Sequence, residues 1–167
     1  MMIKKTHLAI GLAIGLYFLS FVNHKFSFIP IVLIASLLPD IDSMSSSLGR
    51  RVIFRPVQVL FTHRGPLHSY TFCALFSFIL TLFYPVAALP FFLGYSFHIF
   101  ADSFTLQGIR PFWPLKFQSS GVLRSGGIAD RALFGVFIII DIEIFVMLFV
   151  YNLEKNFYTG KYSIIRG

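Results

Sequence analysis

Acidic side chains are scarce in this chain, seven against fourteen Lys and Arg in 167 residues. Charged residues of both signs make up only 13%, about half of the roughly 25% usual for a soluble domain. That composition excludes an ordinary water-soluble globule. Cysteine is nearly absent as well. Cys73 stands alone, so no internal disulfide can form, and its apolar neighbours make it a small packing residue rather than a nucleophile. No A-x-A-like cleavage site follows the first apolar run, where Asn23, His24 and Lys25 stand instead. That run therefore reads as an uncleaved helix and not a signal peptide. Internal repeats and low-complexity linkers are missing. The formal charge of +7 does not point to nucleic acid, because the basic residues are spread over loops and tail. A nucleic-acid surface would gather them on one patch interleaved with aromatics.

What is abundant is hydrocarbon: 56% hydrophobic residues, 22 of them Phe, and a mean hydropathy of +0.78. The expectation is an all-α integral membrane protein, a single domain over residues 1–167. It would form a helical bundle of about four to five transmembrane segments. The apolar segments are residues 8–22, 28–38, 70–84, 86–104 and 132–151. The segment 28–38 is short for a full crossing, which takes about 20 residues. Gly11 and Gly15 stand at the small-xxx-small spacing that lets another helix approach. Polar loops fall at 43–62 and 105–131, and a polar or disordered tail is expected from about 153 to 167. Within the first loop, 57–61 could form a short interfacial helix; within the second, Pro111-Phe112-Trp113-Pro114 reads as an interface anchor. With the N-terminus cytoplasmic, ten of the fourteen Lys and Arg fall on inside segments, and both loops are then cytoplasmic.

Against this background, seven side chains of metal-binding type crowd the ends of the apolar segments: His7, Asp40, Asp42, His63, His68, His98 and Asp102. Polar groups beside hydrocarbon are costly unless paired or metal-bound. The up-and-down topology carries all of them to the cytoplasmic membrane surface. Singly, each has a plainer reading. His7 could be an interfacial histidine, Asp40 or Asp42 a helix cap, and His68 or Asp102 a hydrogen-bonded helix end. Their convergence on one face is what favours a common metal site.

The spacings agree. His98 and Asp102, at i and i+4, share one face of a helix. Asp40 and Asp42 follow Pro39 and could point to one side of an extended turn, one of them bridging two cations. His63 and His68 would splay on a regular helix, but Gly65-Pro66 between them implies a turn, with His68 in the first helical turn beyond it. Mixed imidazole and carboxylate ligands suit zinc, manganese or iron. Seven candidates exceed the three or four of one zinc and suit a pair of divalent ions. Paired ions lower the pKa of bound water and steady the oxygens of a phosphoester. Asp42 and Arg64 are the candidates for direct catalytic work, Arg64 as a phosphate clamp. Asp130 reads first as a charge at a helix N-terminus and second as a ligand. Asp141 and Glu143 lie mid-span, with no role assigned. His24 falls on the opposite side, beside Lys25, as an interfacial residue.

These blocks carry a resemblance. Thr6-His7, Leu38-Pro39-Asp40-Ile41-Asp42, His63-Arg64-Gly65-x-x-His68-Ser69 and His98-x-x-x-Asp102-Ser103 resemble the YdjM-like family of membrane-bound metal-dependent hydrolases. Arg124-Ser125-Gly126-Gly127 with Asp130 looks like the family's late motif, where Glu often stands in place of Asp. The family is similar, distantly, to zinc-dependent phospholipases C. The resemblance implies an inner-membrane protein, zinc and a phosphoric-ester substrate such as a phospholipid or another phosphorylated amphiphile. A divalent-metal transporter is the alternative, since carriers also use H-x-x-x-D pairs. Its site should lie near the membrane midplane, whereas these ligands lie at helix ends.

Overall fold

The computed structural model describes residues 2–42, 55 and 65–165, with side chains through residue 157. Among these residues the fold is all-helical, with five α-helices and no sheet. They are α1 (Lys4–Phe18), α2 (Lys25–Ala35), α3 (Tyr70–Phe83), α4 (Pro85–Ser103) and α5 (Ile128–Ile165). Two short 3₁₀ turns, Leu38–Asp42 and Pro66–His68, stand between α2 and α3.

Helix α4 is the centre of the bundle. One side of it packs with α2 and α3 through Ala35, Cys73, Phe91, Tyr95 and Ile99. Another side meets α1 and α5 through Ile10, Ala101, Leu133 and Phe137. Small residues set the spacing. A Cβ at Gly94 would lie 2.2 Å from the Val32 carbonyl oxygen, so α4 touches the backbone of α2. Gly11 and Gly15 work in the same way: a Cβ would come 2.9 Å from Ser36 Oγ at the first and 2.9 Å from Ile29 at the second. The small-xxx-small pair does face another helix. Helices α1 and α5 run parallel, with Thr6 against Asp130 at one end. At the other end Leu16 and Tyr17 share a cleft with Ile144 and Leu148.

Ile128–Phe157 is the one helix among the described residues long and apolar enough to cross a membrane. Its outward face is hydrocarbon, with Ile139, Ile142, Phe145, Met147 and Phe149 all exposed. So is that of α3, where Leu75, Phe78, Leu82 and Phe83 are exposed. Apolar surface on this scale calls for a non-aqueous neighbour.

Several expected boundaries need correction. The last helix begins at Ile128 rather than 132, and runs through the stretch expected to be a polar tail, to Ile165. Leu153-Glu154-Lys155 are good helix formers and no proline follows, so polarity there changes what the helix faces and not whether it forms. Helix α1 starts at Lys4 and ends at Phe18, earlier than 8–22 on both sides, because hydropathy marks the apolar slab and not the hydrogen-bonded length. Helix α2 likewise covers Lys25–Ala35 instead of 28–38. The break at Tyr84-Pro85 falls as expected. The expected interfacial helix at 57–61 lies outside the described residues.

The loop from 104 to 127 is not plain coil. Ile109 and Ser119 exchange backbone hydrogen bonds of 2.8 and 2.9 Å, and the Leu123 N–H donates to the Phe104 carbonyl at 3.0 Å. The loop thus folds back over the end of α4. It is tied to α3 by the Tyr70 N–H, which donates to the Pro111 carbonyl at 2.8 Å.

Candidate metal centre

Six of the seven candidate ligands meet at one end of the bundle; the seventh, His63, and the neighbouring Arg64 lie outside the described residues. His7 sits in the first turn of α1, Asp40 and Asp42 on the turn after α2, and His98 and Asp102 in the last turns of α4. His68 closes the turn Pro66–His68 instead of entering the first turn of α3. The reason is Ser69, which is extended and caps α3, its hydroxyl accepting from the Phe72 N–H at 3.1 Å. Asp40 and Asp42 correct the expectation in the same sense, since their segment is a 3₁₀ turn and not extended. All six side chains belong to residues between 0 and 3% exposed. Burying so many ionisable groups together requires hydrogen bonds or a cation.

Their atoms converge in two triads, His7–His98–Asp102 and Asp40–His68–His98, each with its ligand atoms within 4.8 Å of one another. His98 belongs to both. Asp102 reaches both sides as well: Oδ1 lies 3.4 Å from His7 Nε2, and Oδ2 lies 3.8 Å from His68 Nε2 and 4.0 Å from His98 Nε2. The i, i+4 pair on α4 is therefore on one face, as its spacing predicts. Asp40 Oδ1 stands 3.5 Å from His98 Nε2.

The histidine tautomers are set from behind. His98 Nδ1 is 2.7 Å from the Ser36 carbonyl, which can only accept, so Nδ1 carries the proton and Nε2 offers a lone pair. Asp42 Oδ2 is 3.0 Å from His68 Nδ1 and directs the His68 Nε2 lone pair in the same way. This carboxylate–histidine pairing orients metal-ligating imidazoles in general. His7 stacks on His98, with ring centroids 3.8 Å apart and planes at 16°. Both ring nitrogens of His7 and Nε2 of His98 are buried without a hydrogen-bond partner among the described residues. Inward-facing, unsatisfied nitrogen lone pairs beside carboxylates fit a divalent transition ion. Burial pushes the Asp40 carboxyl up to about 6, against the lowering pull of His7 and His68. A bound cation would pull it down.

Asp42 is thus placed behind His68 and is not part of either triad. An Asp42→Asn substitution is expected to weaken metal affinity by roughly 10–100-fold, as loss of an orienting partner does. Titration of metal-free protein with zinc against a competing chelator measures it.

The chain belongs to the YdjM inner membrane protein family. That family's model matches residues 1–163. The inner membrane proteins YdjM of Escherichia coli (strain K12) and of Shigella flexneri are each 38% identical to it over 99 residues, covering 54% of this chain. The chain spans about half the length of these curated relatives, 50% in each case. No solved structure matches it. Family membership agrees with the hydrocarbon surface of α3 and α5 and places the chain in the inner membrane.

Asp130 does more than supply a charge at a helix N-terminus. It is fully buried, and it accepts from Thr6 Oγ1 at 2.7 Å, from the Ile3 N–H at 3.0 Å and from the Gly126 N–H at 2.8 Å. It belongs to neither triad; it pins the start of α1, and with it His7, to α5. Asp130→Ala is expected to destabilise the fold by on the order of 3 kcal/mol, since hydrogen bonds to a buried charge are lost together. Chemical unfolding in mixed detergent would measure this, and a cost below about 1 kcal/mol would contradict the bridging role.

Sequence reasoning missed Ser36, Tyr95 and Met2. Ser36 acts through its carbonyl, which no side-chain motif reveals. The Tyr95 hydroxyl donates to the Leu67 carbonyl, fixing the residue next to His68; its i, i+3 spacing from His98 was the available signal. The Met2 N–H donates to Asp102 Oδ1 at 3.3 Å. The mid-span acids part company: Glu143 is exposed, whereas Asp141 is buried with both carboxylate oxygens unpartnered among the described residues. At 1.5 Å per residue, Asp141 stands about 16 Å along α5 from Asp130, away from the triads.

Proposed function

We propose that this protein is a membrane-bound, metal-dependent hydrolase of phosphoric esters, holding two divalent transition ions with zinc favoured. The observation that carries the reading is the double triad sharing His98, with the two oxygens of Asp102 turned toward different histidines. In this reading four to five segments form the membrane bundle, with the N-terminus and the metal end on the cytoplasmic side. The excess of Lys and Arg in the two loops supports that orientation.

His7, Asp40, His68, His98 and Asp102 would hold the ions, with His63 a further candidate. When bound, the ions would supply an activated water and stabilise charge on the ester oxygens. Ser36 and Asp42 keep two imidazoles in the metal-binding tautomer. The buried surroundings exclude bulk solvent and strengthen electrostatics toward a phosphate. Arg64 is proposed as the phosphate clamp, and the substrate as a phospholipid or another phosphorylated amphiphile.

The test is to purify the protein, quantify bound metal, and assay phosphodiester and phospholipid cleavage with and without chelator. About two ions per chain and chelator-sensitive cleavage are expected. Folded, metal-free protein that cannot be loaded would sink the proposal. One observation favours a second reading, a divalent-metal transporter: buried Asp141 supplies a carboxylate inside the bundle. Metal uptake into proteoliposomes without hydrolysis would select it.

A further inference from the structure

Beside the metal centre, α1, α4 and α5 enclose a cavity of about 270 Å³. Every side chain that lines it is apolar. Met2 joins it to the centre, because its N–H donates to Asp102 Oδ1 while the residue lines the cavity. Phe97 and Ala101, also in the lining, are the chain neighbours of His98 and Asp102. The α5 wall is Leu133 and Phe137, within the helix able to cross a membrane. At the rim, Phe100 and Phe104 are 51% and 47% exposed, so the cavity reaches the outer surface of the bundle.

Resting on the hydrolase reading above, we infer that this cavity seats one acyl chain of a phospholipid whose phosphoester meets the metal centre. Its volume falls just below the roughly 300–1,000 Å³ of pockets that hold whole small ligands, and so suits part of one chain. A cavity walled by hydrocarbon gains nothing over a bilayer that is equally apolar. Its contribution is positional: a seated chain fixes how far the ester stands from His98 and Asp102. For short-chain esters drawn from water the gain is different. Each added methylene is worth about fourfold in affinity until the cavity is full.

The experiment uses full-length, zinc-loaded protein in lipid nanodiscs doped with a phosphatidic acid carrying a diazirine near the carboxyl end of one chain. Photolysis and peptide mass spectrometry should place label on Phe97, Leu133 and Phe137 above the level on Phe145 and Phe149, which face outward. Leu133→Trp and Ile14→Trp, each filling the cavity, should abolish that excess while zinc content and outer-face labelling persist. Equal labelling inside and outside, or an excess that survives both variants, would overturn the inference. Cavity labelling without ester cleavage would remove the hydrolase reading and keep the acyl seat. Cleavage without cavity labelling would do the reverse.

Discussion

Asp102→Asn is expected to remain folded and to lose most of the metal that the proposed centre would hold, with the proposed phosphoesterase activity falling at least about 100-fold. The substitution keeps the size of the side chain and removes its charge. A carboxamide retains one oxygen that can still accept from the Met2 N–H, so the packing at 3.3 Å survives. What it cannot do is offer an anionic oxygen to both triads. In the native chain Oδ1 faces His7 and Oδ2 faces His68 and His98, so the loss is felt at both positions. An alanine at His98 removes the other shared ligand and should match it. Metal analysis on the purified variants decides the matter. Full metal content in both would mean that the triads are buried ion pairs and not a metal centre.

Much of this site was legible because ligand chemistry survives in one dimension. The spacing of His98 and Asp102 alone places them on one helical face. The rarity of carboxylates made Asp40, Asp42 and Asp130 conspicuous, and an up-and-down order of the apolar segments put the blocks together at one end, where six of the seven residues meet. The roles within the cluster were less legible. Asp42 has the same side chain as Asp40, and only the 3₁₀ turn decides which one faces the triads and which stands behind His68. Ser36 contributes a carbonyl, which every residue has. Helix boundaries slipped for a different reason. Hydropathy locates where the chain is greasy, while capping and propensity decide where hydrogen bonding begins and ends. Hence α1 and α2 start before the apolar slabs assigned to them, and α5 continues past its own.

Gly94→Ala is expected to cost about 3 kcal/mol or more and to lower metal affinity as well, although residue 94 touches no ligand. The added Cβ would lie 2.2 Å from the Val32 carbonyl oxygen and 3.0 Å from the Ala35 Cβ, so α2 and α4 must separate. Backbone on one side of that contact cannot rotate away as a side-chain tip could. The same carbonyl accepts from the Ser36 N–H at 2.8 Å, one turn before the Ser36 carbonyl meets His98 Nδ1 at 2.7 Å. His98 is one turn beyond Gly94 on α4. A displacement at the Gly94–Val32 contact is therefore delivered directly to the bond that holds the shared histidine in its tautomer. Gly135→Ala provides the contrast, since a Cβ there meets nothing within 4 Å. Relief of glycine's poor helix propensity should stabilise that variant by up to about 1 kcal/mol. Unfolding in mixed detergent, paired with zinc titration, should separate the two. Equal stability and equal zinc affinity in Gly94→Ala would show that the close approach of α2 and α4 does not set the geometry of the centre.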